Sequence, residues 1–417
     1  MGMSTIRVLA AGAVVAGCLA PILSYAQTPE RGVTVTERQR PDLDPLGVRA
    51  GGFLVMPKLK LDGVYDDNVF ATDNNTVDDF IAVISPSLRA TSDWNTHSLE
   101  FHGGADVARY MDQTDEDYIH YNLGTSGRLD IRRDTNVSAG VDFVSTTEDR
   151  GSPDDANGIE PTEYTLLTPR IGAFNRWNRV SLDVGAEAQI YDFDDVARAG
   201  GAIANNDDRD RTRYLLSMQG EYEIVPQYAA FLRVELNQVD YDSGVDDNGV
   251  NRDSDGYEVV AGTRVDLTGV LFGDVFAGYR SQSYDDPSLS TVDGISYGGA
   301  LTWNVTELTT VKGSIARTVE ESTLQGASGY LATAYTASVD HELLRNLLVG
   351  FRAGLTNNDY EGISREDDVY TVGAYGRYLM QRNLYLSLNY NYTNRDSSVS
   401  GADYEKNVIM LRVETQL

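Results

Sequence analysis

The sequence predicts an all-β protein: a transmembrane antiparallel up-and-down β-barrel of about 18 strands, with roughly 16 to 20 compatible with its weaker segments. Three observations predict it. Apolar and polar residues alternate with period two over many segments, the signature of strands with one apolar and one polar face. The connections between those segments alternate between short and long. Beyond the N-terminus, no apolar run approaches the ~18 residues that a helical span needs.

In chain order, residues 1–26 read as a signal peptide. Arg7 precedes an apolar run from Val8 to Leu23, and Ser24-Tyr25-Ala26 supplies the small residues of a cleavage site, so the mature chain begins near Gln27. The sole cysteine, Cys18, lies inside this leader. A rival reading takes Val15-Ala16-Gly17-Cys18 as a lipoprotein box that leaves Cys18 lipidated; the apolar stretch Leu19 to Leu23 argues against it, since a lipoprotein tether is polar. Residues 27–50, with Pro29, Pro41 and Pro45 and no sustained period, form a periplasmic lead-in that reads as a tether. Within it, Val33-Thr34-Val35-Thr36 faintly resembles the energy-coupling box of TonB-dependent transporters, but no room exists for their plug domain.

Residues 51–417 are the barrel. Phe53, Val55, Leu59 and Leu61 oppose Lys58, Lys60 and Asp62; Leu384, Leu386, Leu388 and Tyr390 oppose Tyr385, Ser387 and Asn389; Ile409, Leu411 and Val413 oppose Met410, Arg412 and Glu414. Strands are expected to start near Gly51, Asp78, His97, Asp117, Thr135, Thr162, Asn178, Arg211, Tyr228, Gly256, Val270, Asp293, Leu308, Gly329, Asn346, Asp367, Asn383 and Tyr404. The segments near Asp78, Thr162 and Leu308 alternate poorly. Pro86 and Pro169 fall in two of them and predict a bulge or an irregular edge, because proline removes a ladder donor. Short connections recur, as at Trp177-Asn178, Val225-Pro226, Thr268-Gly269 and Arg345-Asn346, between long ones such as Thr147 to Pro161, Asp192 to Asp210 and Asp242 to Asp255. Short periplasmic turns against long external loops is the barrel pattern. Tyrosines at the loop junctions (Tyr65, Tyr191, Tyr241, Tyr284, Tyr360) suit an aromatic girdle, with carbohydrate stacking as the alternative.

Composition narrows the function. The chain has 34 basic and 63 acidic residues, a formal net charge of −29, which argues against nucleic acid as a partner. A mean hydropathy of −0.33 is compatible with a barrel, where only alternate residues meet lipid. The Asp-rich loops read as solvated stretches, with divalent-ion bridging to lipopolysaccharide as the alternative; Asn251, Asp253 and Asp255 open like an EF-hand, but its twelfth position is Gly262, and the site is rejected. Of His97, His102, His120 and His341, only His120 lies near the outer rim beside an acid, Asp117, and this does not amount to a catalytic site. The chain is read as no enzyme, with no cofactor and no metal.

The polar face is the informative one. It places Lys58, Lys60, Asp62, Glu100, Asp106, Arg128, Asp130, Asp183, Glu187, Arg233, Glu235, Arg264, Asp266, Arg280, Arg352, Arg377, Arg412 and Glu414 inward. So many charges would be prohibitive in a dry interior, and a barrel of this size leaves an aqueous lumen. Mixed charge, with Phe231, Phe276, Tyr375 and Tyr385 also inward, suits a neutral or weakly charged hydrophilic solute.

Several boxes in the first third resemble the proteobacterial outer-membrane family known as putative β-barrel porin 2: Asp44-Pro45-Leu46-Gly47, Tyr65-Asp66-Asp67-Asn68-Val69-Phe70-Ala71-Thr72, Asp78-Asp79-Phe80-Ile81, Ile84-Ser85-Pro86-Ser87-Leu88 and Ser92-Asp93-Trp94. The resemblance implies an outer-membrane channel and, since many members are linked with exopolysaccharide or capsule production, passive polysaccharide export. The alternatives are a general porin for small hydrophilic solutes and a plugged structural or adhesive surface barrel. Expected partners are outer-membrane lipid and lipopolysaccharide, the barrel-assembly machinery, and, for export, polysaccharide and a periplasmic export system. Oligomeric state is open. Leu417 departs from the terminal Phe that assembly machinery commonly reads.

Overall fold

The structure, a computed structural model, describes residues 32–267 and 269–417; the leader and its Cys18 lie outside them, as does Thr268. Eighteen long strands follow one another: β1 (Phe53–Asp66), β2 (Asp79–Ser92), β3 (Ser98–Tyr110), β4 (Tyr118–Arg132), β5 (Thr135–Thr147), β6 (Glu163–Trp177), β7 (Val180–Phe193), β8 (Arg211–Val225), β9 (Tyr228–Tyr241), β10 (Ser254–Leu267), β11 (Leu271–Tyr284), β12 (Val292–Thr306), β13 (Thr309–Glu321), β14 (Gly329–Leu344), β15 (Leu347–Glu361), β16 (Glu366–Gln381), β17 (Leu384–Ser397) and β18 (Tyr404–Gln416). Each pairs antiparallel with its chain neighbours, and β18 returns to β1, from Lys58↔Gln416 to Asp66↔Val408. The sheet therefore closes and leaves no free edge. A three-residue strand, Val48–Ala50, folds back on the start of β1. Among the described residues no helix is long and apolar enough to cross a membrane.

The alternation sorts side chains as the period requires. Leu61, Phe80, Ile84, Leu123, Ile131, Leu232, Phe351, Leu388 and Leu411 are exposed on the outer face, where hydrocarbon would cover them. On the other face, inward rings pack on strand positions that lack a side chain. Phe231 lies on Gly262 and Tyr375 on Gly350, in each case so closely that a Cβ would collide with the ring.

Of the two expected effects of the prolines, the irregular edge is present and the bulge is not. On one side of each, the ladder is interrupted, between Ile84↔Val107 and Ser87↔Gly104 and between Leu167↔Ile190 and Arg170↔Glu187, but register is conserved and no bulge forms. The opposite ladder runs unbroken through Leu59↔Pro86 and Val141↔Pro169, so each proline forfeits bonding on one side only. Register shifts fall instead at the short turns, for example between Asp130 and Arg132 and between Glu223 and Val225. The poorly alternating segment near Leu308 forms β13 over its full length.

Candidate functional site: a capped, charge-lined lumen

The inner wall comes first. Nine basic and nine acidic side chains were expected inward, and in every case they occupy the strand face opposite the exposed apolar residues. Many meet in ion pairs. Glu414 joins Lys58 (3.2 Å) and Arg377 (3.0 Å). Asp62 receives both Nε (2.7 Å) and Nη2 (2.6 Å) of Arg412. Arg128 meets Asp130 two residues along the same strand at 3.1 Å. Arg233 reaches Glu258 at 3.2 Å, and Arg280 reaches the same carboxylate, which also accepts the Ser296 hydroxyl at 2.6 Å. Arg264 pairs with Glu221, and Glu100 with Arg89 at 3.4 Å. Glu187 accepts Gln189 at 2.8 Å; Asp266 caps its turn by accepting the Gly269 N–H at 2.9 Å. Asp106, Asp183, Glu235, Lys60 and Arg352 form no ion pair among the described residues.

Sequence reasoning missed Glu221, Glu258, Arg89, Asp142 and Arg170. Glu221 and Glu258 stood on the polar side of their strands' alternation and could have been added on that signal alone. Asp142 binds Arg170 and lies 3.1 Å from His102 Nε2. Only the register across β3–β6 brings these three together. The inward rings double as supports for cations: Arg233 lies 4.6 Å from the Phe276 ring centre, Arg377 4.8 Å from Tyr385 and Arg352 5.6 Å from Tyr375.

His120 is not paired with Asp117. Its ring stacks on Tyr118 at 3.9 Å and its Nε2 lies 2.9 Å from the Thr147 hydroxyl, whereas Asp117 faces Arg109 at 3.5 Å.

The long-loop end is covered. The β5–β6 loop (148–162) crosses this mouth. Asp154 Oδ1 accepts the Ser322 hydroxyl (2.9 Å) and the Thr323 N–H (3.2 Å) from the β13–β14 loop, nearly half the barrel away. Glu148 takes Arg209 of the β7–β8 loop through both oxygens, at 2.7 and 2.8 Å. Arg150 pairs with Glu116 of the β3–β4 loop and lies 5.8 Å from the ring centre of Phe70 in the β1–β2 loop, and the Gly151 carbonyl accepts from Arg395 on β17. Beside this span, Arg252 is 2% exposed: its Nε meets Asp246 at 2.7 Å and its Nη1 meets the carbonyls of Ser322 and Ala327. Glu116 and Asp246 are thus buried partners of arginines and Glu148 a nearly buried one, whereas loop acids such as Asp73, Asp195 and Asp207 are exposed, as their composition suggested.

Burial perturbs the cap's carboxyls. It pushes Asp155 up to about 6, against the attraction of Arg150 at 3.8 Å, and raises Asp154 likewise despite Arg209.

The short-turn end carries a strap. Residues 32–47 do not hang free; they run across the inner wall from β11 to β18. Gly32 lies against the Phe272 ring, Asn304 Nδ2 donates to the Val33 carbonyl (3.2 Å), and the Val35 N–H donates to the Thr310 hydroxyl (3.0 Å). Arg40 is buried and binds Glu342 at 2.7 Å and the Val35 carbonyl at 2.9 Å. Farther round, the Tyr385 hydroxyl donates to the Leu43 carbonyl (2.7 Å) and the Gly47 N–H to the Leu417 carbonyl (3.0 Å).

Comparison with known proteins decides the family. The profile of the family described as putative beta-barrel porin 2 matches residues 40–417. The chain belongs to that family. This porin-family barrel is similar in structure to Pseudomonas aeruginosa OccK3 (OpdO), with 14% identity and a TM-score of 0.45 over 87% of this chain and 96% of that one. OpdK of the same organism, in a structure with vanillate, gives 11% and 0.43 over 87% and 99%. The ferric enterobactin receptor PfeA, also from P. aeruginosa, gives 9% and 0.47 over 87% and 80%. These likenesses concern barrel architecture only. No curated protein matches the chain. As a member of a porin family with this closed barrel, the protein is an outer-membrane β-barrel of the porin type.

Proposed function

We propose that the protein is a passive channel for small hydrophilic solutes, reached by export through a cleaved leader over residues 1–26 and seated among outer-membrane lipid and lipopolysaccharide with its short turns in the periplasm. The observation that carries this reading is the inner wall: a face of paired charges, hydroxyls and amides surrounding a lumen too large for side chains to fill. In water of high dielectric, paired wall charges bind a passing solute weakly, and weak binding lets it leave again. Polysaccharide export draws no support from the geometry, because a loop spans one mouth and a strap lines the other. That same loop favours the plugged surface barrel as the second reading.

Single-channel conductance of the refolded mature protein in a planar bilayer separates them, with liposome swelling in sugars of graded size as the second readout. Steady conductance and swelling that falls off steeply above a disaccharide supports the small-solute channel. Block by added polymer would reinstate export. A silent bilayer from a folded, heat-modifiable barrel leaves the plugged reading.

A further inference from the structure

The wall charges are unevenly distributed, and the exception is one sector. Over three successive register rows on β12–β17 the inward residues are Ala300, Thr302 and Asn304; Thr310, Lys312 and Ser314; Thr336, Ser338 and Asp340; Gly350, Arg352 and Gly354; Thr371, Gly373 and Tyr375; and Asn389, Asn391 and Thr393. Two cations stand here against one acid. Asp340 is already engaged, accepting the Tyr375 hydroxyl at 2.6 Å. The next acid toward the short-turn end, Glu342, is held by Arg40 of the strap. Lys312 and Arg352 occupy one row, Lys312↔Ser338↔Arg352, and neither forms an ion pair among the described residues.

We infer that this row is a binding shelf for a small organic acid, a short dicarboxylate in its best-fitting form; the inference rests on the channel reading for its access route. Lys312 and Arg352 lie two strands apart, about 10 Å at the backbone. Their flexible side chains span the ends of a short diacid, one carboxylate each, with the neutral Ser338 between them. Arg352 is pre-positioned by Tyr375, whose ring centre lies 5.6 Å from the guanidinium carbon, so less side-chain freedom is lost on binding. Hydroxyls line the row above, where Ser314 and Thr336 share a hydrogen bond of 2.6 Å. Below, the strap supplies a floor, anchored where the Val35 N–H meets Thr310. Among the described residues no other register row of the wall holds two cations without an ion pair, and the two acids on this sector's own strands toward the short-turn end, Asp340 and Glu342, are both engaged.

The test is equilibrium binding of succinate to the detergent-folded mature protein, read by ligand-observed NMR, with acetate, inorganic phosphate and glucose as comparison probes. Succinate is expected to bind more tightly than acetate or phosphate, and glucose not at all. The double variant K312Q/R352Q, checked for folding by its heat-dependent gel mobility, is expected to weaken succinate by about tenfold, two exposed pairs being lost. Either single variant, expected to cost about threefold, serves should the double variant misfold. Lys60→Gln, at another inward and unpaired lysine, is expected to leave succinate binding unchanged. Succinate binding that the variants do not weaken overturns the shelf, as does phosphate binding as tight as succinate. Because this readout needs no current, a silent bilayer with succinate binding intact removes the channel reading and leaves the shelf standing.

Discussion

The cap over the long-loop end and the wall of the lumen use the same chemistry, arginine against carboxylate, in opposite solvents. In the cap, Arg252 and Asp246 are about as dry as a protein interior, with side chains 2% and 1% exposed. On the wall, Arg128 and Asp130 keep 29% and 21% of theirs. A dry pair must satisfy every donor or be costly, and Arg252 accordingly recruits three loop carbonyls beyond its carboxylate. A wet pair need not, since water serves whatever the partner leaves open. The difference teaches that the barrel's polar residues do two jobs: they hold loops in place at the mouth and cover the inner face of the wall in the middle.

The comparison can be broken most sharply at Arg252. Arg252→Ala strands Asp246 without its partner and is expected to cost the cap about 3–5 kcal/mol locally. The closed ladder of 18 strands should leave global melting almost unchanged. Proteolysis within 242–253 and 322–328 should accelerate, and conductance should rise; resistance to protease equal to wild type would show that the cap does not depend on this residue.

Arg40→Ala is expected to come next. It unties the strap from Glu342 and the Val35 carbonyl, for about 2–4 kcal/mol, less than in the cap because Glu342 can rehydrate. Faster amide exchange confined to residues 32–47 would confirm it.

A smaller effect follows from pH. The docked loop holds the Asp155 proton more tightly than the undocked loop, so its contribution to docking is fully present below the ordinary carboxyl value of 3.8. It is lost as pH rises to about 6. Asp154 is shifted in the same direction and adds to it. Current fluctuations from loop movement should therefore be quieter near pH 4 than near pH 7, and Asp155→Asn should flatten that dependence.

The smallest effect belongs to the wall. Arg128→Gln is expected to change stability by less than about 1 kcal/mol, because its pair with Asp130 is partly exposed. A shift in thermal stability as large as that of a cap variant would erase the distinction between the two regions.

Much of the fold was legible beforehand, and the reason is locality. A strand's two faces are set by adjacent residues, so Leu59 and Leu61 against Lys58 and Lys60 declare β1 without reference to any partner. At Pro86 and Pro169 the irregular ladder that a missing donor implies is present but no bulge forms, and each proline keeps one intact ladder beside it, which only the closed sheet reveals.

The candidate site divides along the same line. By itself the sequence determined which side chains share the inner face, because period two is a property of consecutive residues. Tertiary structure alone decided which of them pair, since Arg233 chooses Glu258 across the sheet and not the Glu235 beside it. It also decided the mouths. Asp154 meets Ser322 across 168 residues of chain, Arg395 meets Gly151 across 244, and Val35 meets Thr310 across 275. Loops carry no repeating pattern to announce such contacts. Their positions are set by which distant donors and acceptors closure of the barrel brings within hydrogen-bonding reach, and closure is a property of all eighteen strands together.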